Sequence, residues 1–175
     1  MFSRTLLFSA LLGGSIAFTS CDVDGLAVNK DFSGATIELP VPASPQGGEV
    51  SIVKQDIETN FRQSLEDFDI STDRVKAVGV KSVVARIMDP SDEFTFENLT
   101  DLALTFESAE LGDIMVASLP NASGTEATFV VEDADLKEFL LSDKFNAVLT
   151  GMSDIGVSQG VMAEVDVTYA ISAGL

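Results

Sequence analysis

Histidine and tryptophan are absent from this 175-residue chain, cysteine and tyrosine occur once each, and ten basic side chains stand against 28 acidic ones. Without imidazole there is no Ser-His-Asp triad and no histidine-bound zinc. With Cys21 as the only thiol there is no intramolecular disulfide and no thiolate metal cluster, so stability must come from packing. A formal charge of -18 and a pI near 4.1 argue against a nucleic-acid backbone or anionic lipid headgroups as the main partner. Carboxylate chemistry and oxygen-ligand metals remain available. What the chain does have is apolar material: 12 phenylalanines and a 46% hydrophobic content are enough for the core of one domain.

Residues 1–20 read MFSRTLLFSALLGGSIAFTS, with a single cation at Arg4, an apolar stretch from Leu6 to Phe18 and small polar residues before Cys21. This is the pattern of a signal peptide and is set aside from fold reasoning. The run is short and glycine-interrupted for a transmembrane helix, which needs roughly 20 apolar residues. The sole cysteine sits where the apolar region ends. Removal of residues 1–20, whose only charged side chain is Arg4, would leave residues 21–175 one unit more negative than the full chain.

The remainder reads as mostly strands. DVDGLAVNKDFSG, at 22–34, is a tether or a first edge strand, and Ala35 to Val41 alternates with Ile37, Leu39 and Val41 on one face. Pro40 and Pro42 push that strand toward an edge, because proline cannot donate to a ladder. From Val53 the spacing turns helical through Ile57, Phe61, Leu65 and Phe68, predicting a helix over Asp56 to Asp67 after a strand at Val50 to Lys54. Lys76 to Met88 predicts a central strand whose alternation slips near Ser82 and Val83, at a bulge. Further strands are expected at Asp101 to Glu107, Ile114 to Leu119, Ala127 to Glu132 and Phe145 to Thr150. Between them Asp133 or Asp135 opens a short helix that buries Leu136, Phe139 and Leu140. A loop over 151–160 leads to the last segment, which points Val161, Ala163, Val165, Val167, Tyr169 and Ile171 inward and Glu164, Asp166 and Thr168 outward.

About seven or eight short half-wet strands with one or two short helices predict a mainly β domain, an antiparallel Greek-key β-sandwich spanning 35–175. The competing architecture is an α+β domain with helices on one side of a single sheet.

FTS before Cys21 resembles a bacterial lipobox, with Phe18 where leucine is usual. That resemblance makes 1–20 a lipoprotein signal peptide and Cys21 the lipidated first residue of the mature protein, followed by a tether or edge strand to residue 34. More than one acyl chain makes a durable membrane anchor, at about 0.8 kcal/mol per buried CH₂. Together with NFRQSLEDFDISTDRVKAVGVKSVVARIM, FTFENLTDLALTF, IMVASL, DADLKEFL and VMAEVDVTYAIS, it resembles small envelope lipoproteins of the Bacteroidota kind. The resemblance implies a β-rich module in the cell envelope, held at the outer membrane by lipid, working in binding or assembly. No run of lysines and acids follows Cys21, only Asp22 and Asp24, so surface and periplasmic placement both stay open.

The search for reactive constellations is mostly negative. Asp22/Asp24, Asp67/Asp69, Asp89/Asp92/Glu93 and Asp133/Asp135 lie close enough in sequence to invite a calcium or catalytic reading, but none follows the EF-hand order, and solvated or capping carboxylates are the alternative. A carboxylate hydrolase needs two facing acids across a cleft. GMSDIG is not the nucleophile-elbow pattern, and the glycines lack phosphate-loop spacing. Phe61, Phe68, Phe106, Phe139 and Phe145 fall on patterned faces and belong to the core. Phe94 and Phe96 fit either core or a shallow binding surface. The sequons at Asn98 and Asn121 carry no assigned role. The expectation is therefore a noncatalytic, lipid-anchored module that needs no cofactor. It binds the membrane through its anchor and an envelope protein or extracellular glycan through its body. The alternatives are a calcium-assisted adhesin or glycan-binding module and, last, a carboxylate-based hydrolase.

Overall fold

The structure, a computed structural model, describes residues 27–174 apart from 35, 44–45, 89–93, 143 and 157–159. The signal segment, Cys21, Asp22, Asp24, Asp89, Asp92 and Glu93 lie outside the described residues. Within them the chain forms two five-stranded antiparallel sheets. Sheet 1 contains β1 (Ala27–Ser33), β2 (Ile37–Val41), β4 (Val75–Met88), β7 (Glu126–Thr128) and β10 (Val161–Gly174). Sheet 2 contains β3 (Gly48–Glu58), β5 (Leu99–Ser108), β6 (Gly112–Asn121), β8 (Val130–Val131) and β9 (Lys144–Ser153). Two short helices, α1 (Phe61–Asp67) and α2 (Lys137–Leu141), pack against each other, and α2 also packs against β4 and β9. The fold is an antiparallel β-sandwich. Strands distant in sequence become neighbours, with β10 between β1/β2 and β4 and β9 between β3 and β5.

The last strand organises sheet 1. Its alternation buries Ala163, Val165, Val167, Tyr169, Ile171 and Ala173, as the period of two predicts. β1 and β2 lie end to end along one side of β10: Ser33 pairs with Thr168 and Ile37 with Val165. Both are edge strands, which is where Pro40 is tolerated. On the other side β4 slips against β10 at Lys81, because Ser82 pairs with Thr168 while Val80 pairs with Tyr169. This is the bulge expected near Ser82.

Three segments depart from the local pattern, each for a tertiary reason. The expected helix over Asp56 to Asp67 begins only at Phe61, because β3 runs on to Glu58 in register with β9. A bulge at Gln55 and Asp56, with Asp56 at φ 53°, resets the strand phase, so Val53 and Ile57 imitate helical spacing while lying on a bent strand. Asp101, at φ 51°, does the same in β5 and lets both Leu99 and Leu102 face the core. The strand expected over Ala127 to Glu132 is divided at Phe129: β7 pairs with β4 in sheet 1, and β8 pairs with β6 in sheet 2. Phe129 is buried at the crossing, and its N–H donates to the Val83 carbonyl at 3.0 Å. Strands that change sheets in this way close sandwich corners.

One continuous core joins both sheets and both helices, from Ile37 to Ile171. Phe61, Phe106, Phe139 and Phe145 are buried within it, and Phe68 is half-buried against it. Phe106 and Phe145 pack with ring centroids 4.3 Å apart, and Phe139 meets Phe145 edge-on.

Candidate binding surface

Phe94 and Phe96 do not form a surface. They are 2% and 1% exposed and sit in the common core. The turn after Phe94 holds them there: Thr95 Oγ1 accepts the Glu97 N–H, Asn98 Oδ1 accepts the Thr95 N–H, and the Phe96 N–H donates to the Gly124 carbonyl at 2.8 Å. Same-side spacing before a turn-rich stretch is compatible with either core or surface, and only the opposing sheet decides between them.

Of the acidic pairs within the described residues, Asp69 and Asp135 serve local structure. Asp69 takes φ 56° just after α1, where its N–H donates to the Glu66 carbonyl and the Ile70 N–H to the Leu65 carbonyl, closing the helix as a Schellman turn. Asp135 Oδ1 accepts the Lys137 N–H at the start of α2 and also the Val78 N–H of β4, both at 3.0 Å. It thus pins the helix to sheet 1. Among the described residues, no group of three or more acids is arranged to hold a metal ion.

The two outer faces of the sandwich differ in charge. On sheet 1, strand register lines up Glu38, Glu164, Arg86 and Glu126 across β2, β10, β4 and β7. Arg86 Nε meets Glu126 at 2.8 Å and its Nη1 pairs with Asp166, which also accepts a hydrogen bond from Thr36 Oγ1. The Glu126 and then the Asp166 carboxylate hold the Arg86 guanidinium above its ordinary pKa. These side chains are well exposed, so the ion pairs are open to screening.

On sheet 2, two adjacent rows carry no ionisable side chain. One crosses β3, β9, β5 and β6 as Val53, Val148, Thr105 and Met115. The next runs Ser51, Thr150, Ala103, Ser118 and Val130, reaching β8. Val148 points outward, since its neighbours Ala147 and Leu149 belong to the core and it does not, yet its flanking side chains leave it only 6% exposed. Val53, Met115 and Val130 are 47%, 48% and 62% exposed. Strands about 4.8 Å apart give the band a width of roughly 15–20 Å. Met152 extends it on one side beside Glu49, while Glu107 and Asp113 border the other. Glu132 reaches the end of the second row, where it accepts a hydrogen bond from Ser118 Oγ at 2.8 Å.

No sequence motif marks this band. Its members come from five strands, and each strand contributes only one or two uncharged outward positions. The weak signal in the sequence is Ser51/Val53 and Val148/Thr150, polar-facing positions filled without charge in a strongly acidic chain.

Among the described residues no helix is long and apolar enough to cross a membrane. No protein-family model matches the chain, and no curated protein matches it significantly.

Proposed function

We propose that this protein is a noncatalytic, lipid-anchored module of the bacterial cell envelope that docks a protein partner on the outer face of sheet 2. The observation that carries this reading is the pair of uncharged rows centred on Val148, on a chain whose net charge is -18. A desolvated contact is least costly where no charge has to be buried, and half-exposed valine and methionine side chains supply apolar area to it. The placement in the envelope rests on Cys21 at the end of the apolar leader. β1 begins at Ala27, six positions later, which would hold the sandwich close to the lipid surface.

A protein partner is favoured over a glycan by the aromatic side chains. Sugars are gripped by exposed aromatic platforms, whereas Phe94, Phe96 and Tyr169 are buried and the outer rows offer Val, Met, Ala, Ser and Thr.

The test places the photo-crosslinking residue p-benzoylphenylalanine at Val53 or Met115 on sheet 2, and at Val84 or Thr128 on the outer face of sheet 1, in cells that make the protein. Discrete adducts from the first pair and none from the second are expected, and Val130→Glu should weaken them. Equal labelling from both faces, or none from either, would overturn the docking face. Separately, Cys21→Ala should move the folded protein from washed membranes to the soluble fraction. Retention there would overturn the lipid anchor.

A further inference from the structure

At the junction of β1 and β2 the sandwich is not filled. A cavity of about 110 Å³ opens there, walled by Phe32, Ile37, Ile57, Phe61, Phe145 and Tyr169. Gly34 forms part of its rim, and its N–H donates to the Val167 carbonyl at 2.9 Å, so the chain stays hydrogen-bonded alongside β10 past the end of β1. A Cβ at this position would lie 2.5 Å from Cε2 of Tyr169. Glycine is therefore what allows the ring of Tyr169 to sit beneath the junction, stacked on Phe32 with centroids 5.0 Å apart.

The polar groups around the cavity are unequal. Thr59 Oγ1 is engaged with the carbonyls of Leu140 and Ser142, both at 2.9 Å, and Ser64 Oγ donates to the Asn60 carbonyl at 3.0 Å. Ser33, Glu58 and Asn60 are exposed at the mouth. Tyr169 is different: it is 3% exposed, and its hydroxyl has no hydrogen-bond partner among the described residues. No fully enclosed side-chain N or O among those residues lacks a partner, so the Tyr169 oxygen retains accessible surface, and this cavity is the space its ring borders. With no protein partner, this hydroxyl is left to bond whatever occupies the space beside it, and a bound acceptor can take the place of water there. Burial also pushes its pKa well above the ordinary phenol range, which keeps it a proton donor.

We propose that this cavity binds a small uncharged molecule with a compact apolar body and one hydrogen-bond acceptor, which Tyr169 Oη engages. The enclosed space is smaller than the dry cavity of about 150 Å³ that accommodates benzene, and the open mouth at Ser33, Glu58 and Asn60 supplies the remaining room for a ring of that size. Neutrality follows from the charge: Glu58 at the mouth and a net charge of -18 repel anions, and the walls offer a cation no buried counterion. The site lies between the sheets at the β1/β2 end, away from the outer rows of sheet 2, and stands or falls independently of the docking face.

The probes are cyclohexanone and methylenecyclohexane, which share a ring but differ in the acceptor oxygen. The full chain, with isotope-labelled Ile and Leu methyls, is titrated with each and followed by NMR. Saturable shifts confined to the methyls of Ile37, Ile57 and Leu140 are expected, with cyclohexanone tighter by about three- to tenfold, the net worth of one hydrogen bond. Tyr169→Phe keeps the ring and should abolish that preference while leaving methylenecyclohexane binding unchanged. Absence of saturable shifts, shifts spread through the rest of the core, or a preference that survives in Tyr169→Phe would each overturn the proposal.

Discussion

Replacing Val165 by aspartate places a carboxyl at the centre of β10, where the native side chain is fully buried between Ile37 of β2 and Ala85 of β4. No cation lies at either paired position, so at pH 7 the new group must shed its charge to remain in the core. Protonating a carboxyl of ordinary pKa about 3.9 at a pH three units higher costs about 4 kcal/mol, at ~1.36 kcal/mol per unit. The folded-state pKa is raised, so the penalty is nearly absent below the unfolded-state value and grows as pH rises toward the folded-state value. At pH 4 it falls to about 0.5 kcal/mol. Val165→Asn is the control, because it removes the same apolar volume and introduces a polar group without a titration. For a domain of this size each kcal/mol moves Tm by about 2–4 °C, so Val165→Asp should melt about 8–16 °C below Val165→Asn at pH 7. The two should converge near pH 4. Thermal unfolding followed by circular dichroism across this range reads the difference. Parallel pH profiles for the two variants, or a Val165→Asp protein as stable as the native one, would refute the inward placement of this strand.

Gly34→Ala should lower stability by about 1–3 kcal/mol in denaturant titration, because its Cβ meets Cε2 of Tyr169. Tyr169→Phe retains that carbon and should give no relief in the double variant. Asp135→Ala removes the acceptor shared by the Val78 and Lys137 amides and should cost about 2 kcal/mol, with hydrogen exchange accelerating first at Val78 and in α2. Arg86→Gln leaves Glu126 and Asp166 without their shared cation, in a register row that also carries Glu38 and Glu164. Its Tm deficit should be measurable at low ionic strength and largely disappear in 1 M salt; a salt-independent deficit would show that Arg86 acts through packing instead.

The strands were legible wherever period-two alternation stayed unbroken. The terminal strand from Val161 to Ile171 is the clearest case, since six of its inward positions could be named from the sequence and five of them are fully buried, with Val161 half-buried. The slip near Ser82, the edge character of the proline-bearing strand and the buried side of α2 were equally readable, because β-branched runs, proline and an acidic helix start act through local geometry. The segment from Val53 to Phe61 was not readable. A bulge at Asp56 shifts the phase by an amount that mimics a helical turn, and what fixes it is pairing with β9, almost a hundred residues away.

The same limit applies to the sites. Composition alone removed imidazole chemistry and thiolate metal clusters, and the position of Cys21 supplied the expectation of a lipid anchor. The sequence could place Phe94 and Phe96 on one side of the chain but not on one side of the sandwich, and the packed sheets put them inside. Neither the uncharged rows of sheet 2 nor the cavity beside Tyr169 has a local signature. Each is assembled from strands whose relative register is set by long-range hydrogen bonds, so side-chain alternation decides which residues alternate, and tertiary pairing decides what they stand beside.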